Sequence, residues 1–349
     1  PCILYGELYT KYKSEVITDV LSKTNIDTAN LVRSKANDVI IPSSGETAID
    51  ISTARCVPFD NILLGGDLNI LRLREQDGRF FSYQLNGVRK LDIAQIAQGV
   101  SVVHLYGESL KRLIVHYPSR SEQEKISSLL AAIDERITTQ SRIIKEIQSL
   151  IYGITQRISK HPSVRMTMLS RLLVERNEKN TALYPVYSVS VSEGVVNQID
   201  YLGRSFAATD TSHYNVVHKG DIIYTKSPTG EFPLGIVKRS SVGSNVAVSP
   251  LYGVYKPVSD DVAIYLHYYF CSPLNARNYL HKLIQKGAKN TINITNQRFL
   301  ENHIPLPDKT TLSRFVELMN AVSAKLKSER SLLEALQRQK KYLLTHMFV

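Results

Sequence analysis

The sequence predicts a mixed α/β fold in which two repeated globular modules are separated by a long antiparallel coiled coil of two helices. Two segments carry a heptad pattern of apolar residues, and one follows the other at a constant distance along the chain. The remaining sequence has short β-branched and aromatic runs, such as 186–191, 221–225 and 246–255, bounded by Gly, Pro and Ser. Such runs are typical of small sheets, and the repetition predicts two copies of one unit.

The first heptad segment follows Pro118, which ends the preceding segment, and Ser121 with Glu124 is expected to form a capping box near its start. Apolar residues then recur every seven positions in two series, which is the a/d pattern of a coiled coil. The series are Ile126, Ile133, Gln140, Ile147 and Ile154, and Leu130, Ile137, Ile144, Ile151 and Ile158. This pattern predicts a long helix packed along one face.

The carboxyl-terminal segment repeats the pattern. Its series are Phe315, Val322, Glu329, Leu336 and Leu343, and Met319, Leu326, Leu333, Lys340 and Met347. The first residues of the two segments differ by 189 positions (315 − 126), and so do the four pairs that follow them. The polar residues Gln140, Glu329 and Lys340 weaken the seam and are expected to fix its register. Because one apolar seam is unstable alone, we expect the two helices to pack together, as a rod of roughly 60 Å for about 40 residues.

The globular sequence is also repeated. The offset of 189 takes Pro118 to Pro307, Asn86 to Asn275, Leu85 to Leu274 and Phe81 to Phe270 (270 − 81 = 189). Further upstream the offset is about 183 (220 − 37), where 37–41 resembles 220–224, Ser43–Glu46 resembles 227–231, and 5–9 roughly matches 184–187. The predicted boundaries are a first module at 1–118, a helix at 119–160, a second module at 161–307 and a helix at 308–349.

One difference between the copies stands out. The second module has about twenty residues, 163–183, before its first matched strand, whereas the first module has almost nothing before Tyr5. We expect either that the chain begins short of the repeat or that the missing element is supplied from elsewhere in the fold.

The composition favours a globular protein with an acidic partner. The net charge is +11 and the isoelectric point is near 9.4, which fits nucleic acid or an anionic membrane face. No apolar run is long enough to span a membrane. Cys2, Cys56 and Cys271 are far apart and form no CxxC pair, so we expect a cytoplasmic protein without a disulfide framework or a zinc site.

Candidate DNA contacts lie in loops where basic residues stand beside small polar ones. Lysine attracts phosphate whatever the base sequence, whereas Ser, Thr and Asn side chains can reach base edges. The candidates are Lys11, Tyr12, Lys13, Ser43, Ser44 and Arg79 in the first module, and Lys226, Ser227, Thr229, Lys286, Lys289 and Asn290 in the second. Each loop alone is as well explained by a solvated basic turn.

The motifs of several catalytic classes are missing from the sequence. It contains no Pro-Pro, which an adenine methyltransferase tetrapeptide needs, and no GxxxxGK[ST] loop for ATP hydrolysis. Gly65-Gly66-Asp67 is interpreted as a turn at a strand end, and His213 and His218 lack a third metal ligand. We therefore expect a binding protein with no catalytic residue, no metal and no cofactor of its own.

Several motifs together resemble one known family. The segment PSRSEQEKISSLLAAI, which begins at Pro118 and is followed by Asp134, is similar to the helix opening of type I restriction-modification specificity subunits. CILYGELYTKY, IIPSSGETAIDISTA, GGDLNILRL and GVSVVHLYGESLKRL in the first module, and GDIIYTKSPTG and QKGAKNTINITNQRFLENHIPLP in the second, also have the family's form. The resemblance covers essentially the whole chain, although Pro307 is followed by DKTT, without the Glu-Gln of the first copy.

The resemblance implies a function. Each module would be a target-recognition domain that reads half of a split, asymmetric DNA site, and the helices would set the gap between the halves. Two modification subunits would dock on the helices and methylate adenines with S-adenosylmethionine, and restriction subunits, where present, would cleave DNA. Alternatives are a related fused or type IIB-like system, a coiled-coil scaffold or homodimer unrelated to DNA, and a chain that itself methylates or cuts DNA.

Overall fold

The computed structural model describes residues 1–25, 31–203, 209–286 and 292–348. The chain forms two compact units. Unit 1 contains Pro1–Ile143 and Ser328–Val349, and unit 2 contains Ile144–Lys327. Each unit therefore includes one globular module together with part of each long helix. No helix in the described ranges has both the length and the apolar composition that crossing a bilayer requires.

Unit 1 has short strands and helices before its long helix. The strands are β1 (Cys2–Ile3), β2 (Asp38–Pro42), β3 (Ser44–Gly45), β4 (Arg55–Val57), β5 (Leu63–Leu64), β6 (Leu68–Leu71) and β7 (Val103–His104). The helices are α1 (Glu7–Thr10), α2 (Ala48–Ile51), α3 (Gly78–Asn86), α4 (Lys90–Ile96), α5 (Gly107–Leu110) and the long α6 (Arg120–Ile158), whose second half belongs to unit 2.

Unit 2 has the same mixed character. Its strands are β8 (Arg165–Met168), β9 (Leu173–Glu175), β10 (Tyr187–Ser190), β11 (Gly194–Asn197), β12 (Asn215–Val217), β13 (Ile222–Thr225), β14 (Ile236–Arg239), β15 (Val246–Val248), β16 (Gly253–Pro257), β17 (Gln285–Lys286), β18 (Ile292–Asn293) and β19 (His303–Leu306). Its helices are α7 (Gln198–Leu202), α8 (Asp260–Phe270), α9 (Pro273–His281), α10 (Asn296–Phe299) and the long α11 (Lys309–His346), whose second half belongs to unit 1.

A three-stranded antiparallel sheet is common to both units. Its order is β4-β2-β6 in unit 1 and β14-β13-β16 in unit 2. In unit 1, Ile40 lies opposite Arg55, and in unit 2, Ile223 lies opposite Lys238. Both pairs of equivalent residues differ by 183 positions (223 − 40 and 238 − 55). The same strands therefore pair in the same register, which confirms the predicted repeat in the centre of each module.

Unit 2 has two strands in the segment 163–183 that the sequence could not match to the first module. β9 extends the common sheet beside β16, and β8 pairs with β19. In the described part of unit 1, the corresponding sheet has three strands. The additional residues of the second copy thus form sheet structure.

Two offsets relate the elements of the two units. An offset of about 183 aligns α3 with α8 and α4 with α9, whereas an offset of 189 aligns β7 with β18 and α5 with α10 (296 − 107 = 189). The change falls between α4 and β7 in unit 1 and between α9 and β18 in unit 2. Unit 2 therefore has six more residues (189 − 183) in this connection.

This insertion makes some predicted correspondences wrong. Phe81 lies in the middle of α3, whereas Phe270 ends α8. Leu85 and Asn86 end α3, whereas Leu274 and Asn275 lie in α9. The match of 5–9 to 184–187 is also wrong, since the first segment leads into a helix and the second into a strand. These residues match in type at the offset of 189, but they precede the insertion, where the structural offset is about 183.

The long helices pack together, as the heptad pattern predicted. In unit 1, Ile126 and Leu343 contact the same apolar cluster, where the rings of Phe80 and Phe348 are 5.1 Å apart. In unit 2, the cluster that contains Phe315 also contacts the second half of α6. In unit 1, the first half of α6 thus lies with the second half of α11. In unit 2, the second half of α6 lies with the first half of α11, so the pair is antiparallel. All fifteen predicted seam residues are buried or half-buried: Ile126, Leu130, Ile133, Ile137, Gln140, Ile144, Ile147, Ile151, Phe315, Met319, Val322, Leu326, Glu329, Leu333 and Leu336.

The two long helices begin differently. Ser121 lies inside the first turn of α6, so the expected capping box with Glu124 is wrong, and the Ser119 carbonyl accepts hydrogen bonds from the first free amides instead. At α11, the Asp308 side chain accepts a hydrogen bond from the Thr311 amide at 2.8 Å. The Asp-Lys-Thr-Thr sequence therefore supplies an N-cap of its own, where the first copy has Glu-Gln.

Candidate nucleic-acid interface

A buried carboxylate marks the start of the central strand in both units. Asp38 accepts two hydrogen bonds from Arg72 at 2.9 and 2.8 Å, and a third from the Lys35 amide. Asp221 accepts two from Arg176 at 2.7 and 3.0 Å, and a third from the His218 amide. These hydrogen bonds raise the pKa of each arginine, which therefore stays charged. The pair holds this end of the central strand in place in each copy.

The turn before this carboxylate is also repeated. Asn37 and Gly220 both have positive φ, at 78° and 90°. Only glycine, and less often Asn or Asp, adopts this conformation readily, which explains the residue types in Asn37-Asp38 and Gly220-Asp221. The turn and the strand are therefore fixed in the same way in both units. The candidate DNA contacts lie in the segment that follows the opposite end of this strand.

In unit 1 the opposite end of β2 leads to Ser43 and Ser44. Ser44 pairs with His104 in the short sheet β3-β7, and the Ser43 carbonyl accepts a hydrogen bond from the Leu105 amide at 2.9 Å. Ser43 is half-buried and Ser44 is buried. Their backbones hold β7 in place, and His104 next to them is exposed.

The helix α1 lies beside the same segment. A Cβ atom at Gly45 would be 3.5 Å from the Tyr9 hydroxyl, so the two elements are in contact. Lys11 and Lys13, at the end of α1, are exposed, and Lys11 forms an ion pair with Glu7 at 2.7 Å. The structure therefore places α1, which Lys11 and Lys13 follow, beside the segment that contains Ser43 and Ser44.

Two other candidates of unit 1 have structural contacts. Tyr12 is only 7% exposed and packs in an apolar cluster, and its hydroxyl accepts a hydrogen bond from the Leu21 amide. Arg79 lies in α3, near the start of β2, and is paired in two hydrogen bonds with Asp77, the N-cap of that helix. We therefore place Arg79 away from the Ser43 region and assign the Tyr12 ring to the core.

In unit 2 the candidates follow β13 directly. Lys226, Ser227 and Thr229 are all exposed. Desolvation by burial lowers the pKa of Lys226, and the Glu175 carboxylate at the end of β9 offsets part of this effect. Glu175 also accepts a hydrogen bond from Asn296 at 2.7 Å. Asn296 begins α10, the equivalent of α5, so this region corresponds to the Ser43 region of unit 1.

The remaining candidates of unit 2 lie near the six-residue insertion. Lys286 is in β17, which pairs with β18. Lys289 and Asn290 lie outside the described residues. The connection in which the two copies differ in length is therefore the one that contains these three candidates.

The structure adds two residues that the sequence did not single out. His104 and Tyr106 of unit 1 are both exposed, and their rings stack with centroids 6.1 Å apart. They lie next to the Ser43 region because β7 pairs with β3. Both residues belong to the motif GVSVVHLYG, but a sequence motif does not show whether an aromatic ring is exposed or buried.

The polar residues of the helix seam are all hydrogen-bonded. Gln140 donates to both the carboxylate and the backbone carbonyl of Glu329. Lys340 forms ion pairs with Glu15 and with Asp134, and Asp134 also accepts a hydrogen bond from the Tyr83 hydroxyl at 2.8 Å. Burial raises the pKa of Tyr83 further above its ordinary range, so this hydroxyl remains a donor. The network attaches α11 and α6 to the first module.

Within the described residues, no cluster of three His, Cys, Asp or Glu side chains could hold a metal ion. His218, one of the histidines considered from the sequence, lies 2.7 Å from the Glu178 carboxylate.

Comparison with known proteins identifies a domain in the first part of the chain and a similar fold. Residues 2–149 match the family model described as the type I restriction modification DNA specificity domain. The fold resembles the crystal structure of the S subunit of a type I restriction-modification system from M. genitalium, with a TM-score of 0.58 and 16% sequence identity over 100% of this chain and 92% of that chain. No curated protein matches the sequence.

Two further solved structures are weaker likenesses. They are the HsdS subunit from Thermoanaerobacter tengcongensis (TM-score 0.40, 14% identity, 90% of this chain and 80% of that chain) and a structure described as the basis of complex assembly and conformational transition of the type I R-M system (TM-score 0.48, 12% identity, 89% and 81%).

The resemblance predicted from the motifs is therefore confirmed for residues 2–149, which match the DNA specificity domain of type I restriction-modification systems. The fold of the chain, with two modules and paired long helices, is similar to that of a solved S subunit.

Proposed function

We propose that this chain is the specificity subunit of a type I restriction-modification system and that it reads a split, asymmetric sequence in double-stranded DNA, one half with each module. The first target-recognition domain would be 1–118 and the second 161–307, with the helices at 119–160 and 308–349 setting the spacing between the half-sites. Two modification subunits would dock on these helices and transfer methyl groups from S-adenosylmethionine to adenines, so that the cofactor belongs to the partners. Restriction subunits would join where the system has them, and the complex would act in the cytoplasm.

The observation that carries this proposal is the repetition of one framework. In each unit a buried Asp carboxylate that is paired with an Arg side chain fixes one end of a central strand, and a polar segment follows the other end. The frameworks are alike, but the side chains beyond the strand differ, with Ser43 and Ser44 in unit 1 and Lys226 and Ser227 in unit 2. A shared framework with different side chains beyond the strand fits two modules that read different sequences. The net charge of +11 favours a nucleic-acid partner.

Module exchange tests the proposal. We would replace residues 161–307 with the second module of another family member, assemble the chain with its modification subunits, and map the methylated adenines. One half of the recognition sequence should change, while the other half and the spacing should remain. If both halves change, or if methylation does not depend on the exchanged module, the assignment of one half-site to each module is wrong.

A further inference from the structure

Unit 2 contains a buried lysine whose equivalent in unit 1 has a different kind of partner. Lys238 in β14 is 5% exposed and corresponds to Arg55 in β4 (238 − 55 = 183). Arg55 donates hydrogen bonds to the backbone carbonyls of Leu8, Tyr12 and Ala54. Lys238 instead donates to the Cys271 sulfur at 3.3 Å, and within the described residues it has no carboxylate partner. A buried ammonium without a nearby anion is costly, so the sulfur is its best candidate for a counter-charge.

His267 provides a second donor to the same sulfur. Its Nδ1 atom accepts a hydrogen bond from the Arg239 amide at 3.3 Å, which requires Nδ1 to be unprotonated and places the ring proton on Nε2. Nε2 lies 3.8 Å from the Cys271 sulfur. The backbone therefore fixes the tautomer in which the imidazole donates toward the thiol.

Among the described residues, the other polar groups near this sulfur have partners of their own. The Arg239 guanidinium is paired with Asp260, and the Tyr268 hydroxyl is hydrogen-bonded to Ser323. Cys271 is half-buried at the junction of α8 and α9. Unit 1 has no equivalent thiol, because the positions that correspond to His267 and Cys271 at the offset of about 183 are occupied by Tyr83 or Gln84 and by Gly87 or Val88.

We propose that Cys271 is a thiolate at neutral pH, held by Lys238 and His267, and that it is a site of oxidation by hydroperoxides. The thiolate attacks the terminal oxygen of the hydroperoxide, so that an S–O bond forms, the O–O bond breaks and the alkoxide leaves, or hydroxide when the oxidant is hydrogen peroxide. The sulfur is oxidised to a sulfenic acid and the peroxide is reduced. This inference does not depend on the proposed reading of DNA.

The pKa of Cys271 agrees with a thiolate at neutral pH. Burial raises its pKa, but His267 and Lys238 more than offset this effect and lower the pKa to about 6. An ordinary thiol has a pKa of about 8.5, so at pH 7 Cys271 has about thirtyfold more thiolate. Because a thiolate of low pKa is also a weaker nucleophile, the rate at one pH underestimates the difference. The pH midpoint of the reaction is therefore the better measurement.

The test uses the full-length chain and alkylation by iodoacetamide at a series of pH values, with each cysteine followed by peptide mass spectrometry. Cys271 should react with a midpoint near pH 6. Cys56, which is buried and whose pKa is raised to about 12, provides the internal control and should stay unlabelled in the folded chain. A midpoint near 8.5, the value of an ordinary thiol, would overturn the proposal, as would labelling of Cys271 no faster than Cys56.

Two variants and one trapping reaction complete the test. Lys238→Met and His267→Gln should each move the Cys271 midpoint upward, and circular dichroism checks that each variant is folded. His267→Gln lies on a helix and keeps a polar side chain, so it preserves the test if Lys238→Met does not fold.

Hydrogen peroxide followed by dimedone should give an adduct at Cys271 in the unmodified chain. An unmoved midpoint in a folded variant, or no adduct, would contradict the assignment.

Discussion

The side-chain amide of Gln140 donates to both the carboxylate and the backbone carbonyl of Glu329, which lies 189 residues further along the chain. Both residues are buried in the helix seam. A slip of one heptad would place Gln140 opposite Leu336 and leave its amide without these acceptors. The contact therefore favours one register of the two helices, which is the role of isolated polar residues in coiled-coil seams.

Glu329→Ala should destabilise the chain by about 1–3 kcal/mol, because one amide hydrogen of Gln140 would lose its acceptor in a buried place. Replacing both residues, in Gln140→Leu with Glu329→Leu, should restore most of this stability, since no buried polar group is then unpaired. Urea unfolding measures both effects. Glu334→Ala, on the exposed side of the same helix, is the control and should change stability by less than about 0.5 kcal/mol. A double variant less stable than the single one would contradict this account.

Lys340→Met should destabilise unit 1 by about 3–5 kcal/mol, because the carboxylates of Glu15 and Asp134 would lose their shared cation in a largely buried site. The neighbouring Lys341 is exposed on the same helix, so Lys341→Met removes the same charge and should have almost no effect. Denaturant unfolding followed by circular dichroism distinguishes the two variants. Equal losses would mean that the net charge of α11 matters and the network does not.

Asp308 should make the stability of unit 2 depend on pH in a defined direction. Its hydrogen bonds from the Thr311 amide and from Ser163 lower its pKa below the ordinary value of 3.8. A carboxylate with a depressed pKa contributes stability that is fully present above its unfolded pKa and is lost as the pH falls through its folded pKa. Asp308→Asn should therefore lower Tm at pH 7, and the difference from the unmodified chain should shrink below about pH 4. Because both chains contain the same other carboxylates, the difference in Tm at each pH removes the contribution of those groups. A difference that stays constant down to pH 3 would show that the charge of Asp308 has no part in the cap.

The helices and the repeat could be predicted because their signals are local and periodic. The heptad positions alone gave Gln140 and Glu329 equivalent places in the two helices, and the strand sequences alone matched Ile40 to Ile223. The six-residue insertion could not be located in the same way. Phe81 and Phe270 coincided by residue type, although only the structure shows that they lie at different places in α3 and α8.

The candidate interface was less accessible to sequence reasoning. Lys11, Tyr12 and Lys13 follow one another, and composition cannot reveal that the ring turns into the core while the two lysines remain exposed. Arg79 looked like a free cation, but its carboxylate partner is the capping residue two positions earlier. Such pairings depend on side-chain geometry at a helix end, which a sequence pattern does not specify.

Lys226→Ala should reduce the salt dependence of DNA binding if the segment after β13 lies against phosphate. Each phosphate neutralised contributes about 0.9 to the slope of log K against log salt concentration, so the loss of one contact should lower the slope by about that amount.

The same strand offers a matched control, since the exposed Lys219 lies in the turn before β13 and Lys226 follows its other end. Lys219→Ala removes the same charge and should leave the slope nearly unchanged, because the repeated Asp–Arg framework places that turn away from the proposed interface. The measurement is the affinity of the chain, assembled with its modification subunits, for a duplex that contains its site, over a range of salt concentrations. Equal slopes for the two variants would mean that the whole charge of the protein attracts DNA, and a larger change for Lys219→Ala would place the interface at the opposite end of the strand.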